Sequence, residues 1–260
     1  MTCVSELRID RRGGGIADLV IARPAKRNAM SYSMWSSVPG LCAELDADDS
    51  VKVVVLRGEG AHFCAGADIA EFGERRSTAE NAREYGERVE AAAAALGSLT
   101  KPTIAMVQGY CIGGGCELAV ACDLRFAAAS AEFAITPAKL GIVYAYSSTR
   151  TLVALTSPSF ARYLLYSGNR VDAEHALRVG LVDELVEPDL LEKTTRDFAA
   201  TIASRAQVSV RGASRMVEKI VSGLDVADDE AHDLPILAVD SEDYREGVAA
   251  FLAKRPPQFR

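Results

Sequence analysis

The chain has 260 residues, and 29 Lys and Arg against 36 Asp and Glu leave a formal net charge of −7. With 49% hydrophobic and 25% charged residues it falls in the ordinary globular range, which excludes disorder, collagen, a coiled coil and a disulfide-stapled mini-protein. The acidic balance argues against a nucleic-acid binder or a membrane-surface protein, since either would carry an excess of Lys and Arg.

Met1 to Glu6 has no basic stretch leading into an apolar one, so no signal peptide is expected. No apolar run approaches the ~20 residues that a membrane helix needs. The cysteines (Cys3, Cys42, Cys64, Cys111, Cys116, Cys122) match no zinc or redox spacing. Buried, reduced thiols and a cytoplasmic location are expected.

Val4–Ile9 and Ile16–Ile21 read as a β-hairpin around a run of arginines and glycines. Residues 31–46 read as a helix capped by Ser31, although Pro39-Gly40 weakens its middle. Val51 to Leu56 is a β-branched run of the kind buried on both faces of a sheet, followed by a polar loop from Gly58 to Asp68. A helix over 78–97, a buried strand over Thr103–Val107, a helix opened by Gly113-Gly114-Gly115 and a strand over Leu124–Ala127 come next. Beyond residue 145 the pattern predicts helices over 147–167, 172–179, 189–204, 208–224 and 233–254, with almost no strand between them. The whole is an α/β core followed by a helical tail.

Three glycines at a helix start let the backbone approach a ligand closely, and the first-turn N–H groups have no partner inside the helix. Together with the helix dipole they stabilise an anion. No G-x-G-x-x-G spacing is present, so this is no dinucleotide fingerprint. Glu117 lies one turn into the helix and on spacing alone reads as a first-turn acid capping its start. Asp68-Ile69-Ala70-Glu71 has the spacing of a second capping box, with the Ala67 N–H just before it as a possible second outward donor. His62, His175 and His232 are scattered, read as structural, and predict no metal site.

GYCIGGGCELAVACD at 109–123 and FCAGADI at 63–69 resemble the enoyl-CoA hydratase/isomerase family, the crotonase superfamily. RPAKRNAMS at 23–31, DAEHALRVGLVDELV within 168–186 and DSEDYREGVAAFLAKRPPQF at 240–259 are similar to further family segments in the same order. The resemblance implies a repeated ββα spiral core (1–200) and a C-terminal helical oligomerisation region (201–260). It implies a homotrimer or dimer of trimers acting on an acyl-CoA thioester, with no cofactor, since coenzyme A is part of the substrate. No nucleic-acid or membrane partner is expected. By motif position Ala67 and Gly114 would supply an oxyanion hole for the thioester oxygen and stabilise an enolate. Ala65, Gly66, Asp68 and Ile69 would form the CoA loop, and Lys26 and Ala29 would line the CoA channel. Lys254 would approach the CoA phosphates, forming a cationic cluster with Lys26 and Arg27.

Family hydratases divide proton transfer between two glutamates. Glu117 matches the first, but the second position falls on Pro137, and Glu132 would face away in an extended segment. Thr136-Pro137, Leu140-Gly141 and Tyr144 resemble the methylmalonyl-CoA decarboxylase branch, where a tyrosine positions the substrate carboxylate and Thr136 would lie at the substrate. Ala67 departs from that branch, which has histidine there. On these residues decarboxylation of a small alkylmalonyl-CoA, with Glu117 and Tyr144 as catalytic residues, is favoured. A hydratase or isomerase using one glutamate, and a silent acyl-CoA binder, are the alternatives. Sequence leaves open whether Tyr144 or Tyr146 faces the site.

Overall fold

The computed structural model describes residues 6–223 and 228–259. β1 (Leu7–Gly13) and β2 (Ile16–Ile21) form the hairpin, closed by Gly14 and Gly15, both at positive φ. Val4 and Ser5 lie outside the described residues, and pairing continues past Ile9 to Gly13. The charges that suggested a loop there are paired: Arg8 with Asp10 and Glu59, and Arg12 with Asp18. Asp18 is fully buried and also receives Arg57 and Arg196. Burial pushes its carboxyl up, but hydrogen bonds from Arg196, Arg57 and Arg12 outweigh that and hold it below the usual value.

α1 (Tyr32–Ala47) runs straight through Pro39. Met34, Trp35, Val38, Cys42 and Leu45 form one buried stripe at helical spacing, and that packing outweighs the lost backbone bond. β3 (Val53–Gly58) follows, then the short α2 (Phe72–Arg75) and the long α3 (Ala79–Gly97). β4 (Thr103–Val107), β5 (Tyr110–Ile112) and α4 (Gly114–Ala121) form the next unit, and β6 (Leu124–Ala128) with β7 (Glu132–Ala134) begins another.

Where one long helix is expected over 147–167 there are two, α5 (Tyr146–Leu155) and α6 (Pro158–Ser167). Ser157 caps α6 by accepting from Phe160 N, with Pro158 at the first helical position, a start signal written in the sequence. Two strands also interrupt the supposedly all-helical stretch: β8 (Val171–Asp172) and, after α7 (Ala173–Arg178), β9 (Glu184–Val186). α8 (Leu191–Ala203), α9 (Gln207–Val221), α10 (Asp229–Val239) and α11 (Glu242–Leu252) complete the chain. The expected helix over 233–254 is divided by Ser241, which caps α11 through Tyr244 N. Residue 224, the end of another expected helix, lies outside the described residues.

The large sheet has the order β1-β2-β3-β4-β6-β9, parallel throughout after the β1 hairpin. Its strands are buried on both faces, as expected for a β-branched run: Val54 and Leu56 join the cluster containing α1 and α4, while Val53 and Val55 meet Leu191, Ala199 and Ala203 of α8. β5, β7 and β8 make a second, small sheet, and bridges Met30–Ala67 and Cys64–Cys111 supply further parallel pairings off the large sheet. The chain thus winds as a spiral, each turn giving one strand to the large sheet and one pairing to the smaller face before a helix returns it. The five described cysteines are buried and unpaired, and Cys3 lies outside the described residues. No helix among the described residues is long and apolar enough to cross a membrane.

Candidate active site

The smaller face brings the two glycine-bearing loops together. Met30 accepts from Asp68 N at 2.8 Å and donates to Gly66 O at 2.7 Å, while Cys64 N donates to Tyr110 O at 2.8 Å. These bonds tie the 63–69 loop to β5, and β5 leads through Gly113 into α4. Gly113 has φ 57° and ψ −115°, a conformation that a side chain would disfavour, and it turns the chain so that α4 starts against the loop. A methyl at Gly114 would lie 3.6 Å from Ala67 N and 2.9 Å from the Trp35 ring. The two N–H groups are therefore neighbours, and neither has an acceptor among the described residues. Two such donors side by side at a helix start form an anion cradle.

They open onto a pocket of about 360 Å³. Of the residues singled out in the sequence, Ala65, Gly66, Ala67 and Ile69 line it from the loop. Gly114, Glu117, Thr136 and Tyr144 line it from the other side. Pro137 lies there as well, while Glu132 points elsewhere and pairs with Arg170 at 2.8 Å. Tyr144 is the tyrosine that faces the site; Tyr146 is 81% exposed.

Glu117 is not the exposed cap that its spacing suggests. It is buried, and its Oε1 accepts from Ser148 Oγ at 2.5 Å. Burial pushes its carboxyl above the ordinary glutamate value, the Ser148 hydroxyl draws it back, and the charge of Glu90 adds to the rise. The Tyr144 hydroxyl is buried without a partner, and burial together with the Glu117 charge pushes it well above the normal phenol value. A perturbed carboxyl beside a paired-amide cradle, in a largely apolar pocket, has the makeup of a proton-transfer site serving an oxyanion.

Four singled-out residues do not line this pocket. Asp68 caps the short helical turn Ile69–Glu71 through Ala70 N and holds both Arg23 and Lys26, at 3.1 and 2.8 Å. The reciprocal half of the expected capping box is absent, because Glu71 accepts instead from Tyr32 N and clamps the start of α1. Lys26 is half-exposed on Asp68, Ala29 is buried with its carbonyl bonded to Arg23, and Lys254 follows α11 in a left-handed conformation. Arg27 lies over the Tyr110 ring, and Lys26, Arg27 and Lys254, expected at the CoA phosphates, all lie outside the lining of this pocket.

Sequence reasoning missed Trp35, Arg76, Glu90 and Ser148. Ser148 sits 31 residues from its partner Glu117, and no local pattern announces such a contact. Tyr85, Val89 and Glu90 lie on α3, the helix expected over 78–97, but which of its residues face inward depends on how the helix docks.

Residues 11–260 match the family described as enoyl-CoA hydratase/isomerase. The chain is 35% identical over 246 residues to a crotonyl-CoA hydratase of Syntrophomonas wolfei, covering 94% of each. It is 30% identical over 258 residues to a 2,3-dehydroadipyl-CoA hydratase of Escherichia coli, covering 99% of each. An enoyl-CoA hydratase/isomerase family protein from Hyphomonas neptunium superposes with a TM-score of 0.95 at 39% identity, over 98% of this chain and 97% of that one.

Proposed function

Since the chain belongs to the enoyl-CoA hydratase/isomerase family, with the crotonase fold, we propose that it adds water across the double bond of an α,β-enoyl-CoA, using Glu117 as its only glutamate acid–base. The observation that carries this reading is the buried Glu117 carboxyl in the same pocket as the unpaired Ala67 and Gly114 amides.

The thioester oxygen accepts from both amides. Glu117, ionised, takes a proton from water as the water oxygen bonds to the β-carbon. The π electrons move onto the thioester oxygen as an enolate, whose charge the two N–H groups hold; one such donor is worth roughly 2.7–4 kcal/mol. Glu117 then returns its proton to the α-carbon. One carboxyl can serve both steps because it gains in the first the proton it gives in the second. Ser148 orients the carboxyl, and the Tyr144 hydroxyl offers a further hydrogen bond to the water or the acyl group.

The residues at 136–144 favour decarboxylation when read alone, but the relatives named as hydratases support hydration instead, and decarboxylation is not retained. Relatives named for crotonyl-CoA and for 2,3-dehydroadipyl-CoA suggest that the acyl chain is what differs between members. Lys26 and Lys254 are proposed as contacts for the CoA phosphates, and the five buried thiols suit a reducing, cytoplasmic compartment. A homotrimer or dimer of trimers is the proposed assembly.

Mass spectrometry of the protein incubated separately with crotonyl-CoA and methylmalonyl-CoA tests the reaction. Addition of water to the first is expected, with a loss of about 10²- to 10⁴-fold in Glu117→Gln. Loss of CO₂ from the second with the first untouched would overturn it.

A further inference from the structure

The hydration mechanism leaves one wall of the pocket unused. It starts at the oxyanion hole, where the Trp35 ring packs against Gly114, and continues through Tyr85 to Arg76. Trp35 is fully buried and Tyr85 is 2% exposed, and the Tyr85 hydroxyl has the Trp35 side chain as its hydrogen-bonding neighbour. Arg76 ends the wall. Its guanidinium lies over the Phe72 ring at 4.9 Å and the Tyr85 ring at 5.4 Å. Among the described residues it forms no ion pair, although the adjacent Arg75 pairs with Glu74. Glu90, also in the lining, is exposed and does not bond to it.

An arginine lying over aromatic faces is held by the rings while its in-plane N–H groups remain free. The wall therefore ends in a fixed cation, Arg76, that no carboxylate among the described residues pairs, beside a Trp35 and a Tyr85 that face each other. Elsewhere around it the lining is apolar, with Ile69, Phe72, Val89, Leu140 and Ile142 suited to methylenes. A hydrocarbon acyl chain would leave the guanidinium unpaired at the end of this wall, whereas a carboxylate would take its fork.

We infer that Arg76 is a receptor for a carboxylate at the far end of the acyl chain, so that the preferred substrates are enoyl-CoA thioesters of dicarboxylic acids. This rests on the acyl-CoA reading of the pocket, and its test is chosen to stand apart from the reaction. Trp35 and Tyr85 form the floor under the chain, and Arg76 closes its end.

Isothermal titration with two saturated six-carbon thioesters, adipyl-CoA and hexanoyl-CoA, decides it, because neither can be hydrated. Wild type is expected to bind adipyl-CoA roughly ten- to a hundredfold more tightly, the range of a charge-assisted bidentate contact. Arg76→Gln should bring the ratio of the two affinities close to one, and Arg76→Lys, which keeps the charge but not the fork, should restore part of it. Equal affinities in wild type would overturn the proposal. So would an equal loss for both thioesters and for free CoA in Arg76→Gln, which would place the arginine on the CoA moiety. A preference for adipyl-CoA in a protein that hydrates no enoyl-CoA would leave Arg76 standing as a carboxylate receptor for dicarboxylic acyl-CoA thioesters and remove the hydratase reading.

Discussion

At Glu117 two requirements oppose each other. Burial favours the protonated carboxyl, while a base must be ionised, so kcat/KM for hydration should rise with pH through a midpoint above the ordinary glutamate value. Ser148 donates to the ionised form, and Ser148→Ala is therefore expected to move that midpoint further up; an unshifted pH–rate profile would remove Ser148 as a positioning residue. The stability argument has the opposite sign. A carboxyl raised by folding contributes stability that is full below its unfolded pKa and is lost as pH rises through the folded one. Urea unfolding of Glu117→Gln at neutral pH should accordingly show no loss of stability. At Gly114, proline deletes the N–H from the cradle, and a folded Gly114→Pro protein should lose about 10²- to 10³-fold in turnover. The glycine turn is legible from local spacing, whereas Glu117, which spacing alone reads as a cap, and Ala67 are singled out by the family resemblance. Ser148, Trp35 and Arg76 are not legible, since their roles exist only once α5, α1 and α2 meet at the pocket. Tyr144 and Tyr146 lie two residues apart, and the start of α5 between them decides which one faces inward.

Among the elements, the buried parallel strands and the long α3 could be read from their residues, as could the hairpin, with its first strand shifted. β8 and β9 could not: two or three residues have no periodicity, and β9 exists because β6 offers it an edge. The junction before α6 is written in the sequence, for Ser157-Pro158 is a start signal. Its cap should be worth about 1 kcal/mol, so Ser157→Ala ought to lower the urea midpoint by that equivalent without changing the slope. The turn over Pro137–Lys139 begins with the residue that displaces the second glutamate of the hydratase pattern. Pro137→Glu would return a carboxyl to the pocket wall, and faster hydration of crotonyl-CoA is expected. An unchanged rate in a folded variant would show that the surrounding wall, from Thr136 to Tyr144, has been rebuilt for one-carboxyl chemistry.

Across the whole molecule, the spiral core buries its strands on both faces, but α9, α10 and α11 bury little: Gln207, Ala231 and Ala250 are their buried residues. Ile220, Ile236, Leu237, Phe251 and Leu252 are all at least 63% exposed. These exposed apolar side chains are the proposed contact surface of the assembly. Sedimentation should show an assembly larger than the monomer, and charged substitutions at Leu237 and Phe251 should dissociate it; a wild-type monomer would contradict the proposed assembly.

The two idle amides of the cradle also give the free protein a signature in deuterium exchange. One neighbour of each is tied down, Asp68 N to Met30 O and Gly113 N to Ala134 O, so the protons there are held by the small face itself. The Ala67 and Gly114 amides have no such tie and should exchange early, each just beside a slow site. A thioester oxygen seated between them closes both at once. Their simultaneous slowing with an unreactive acyl-CoA would locate the carbonyl in solution without any turnover.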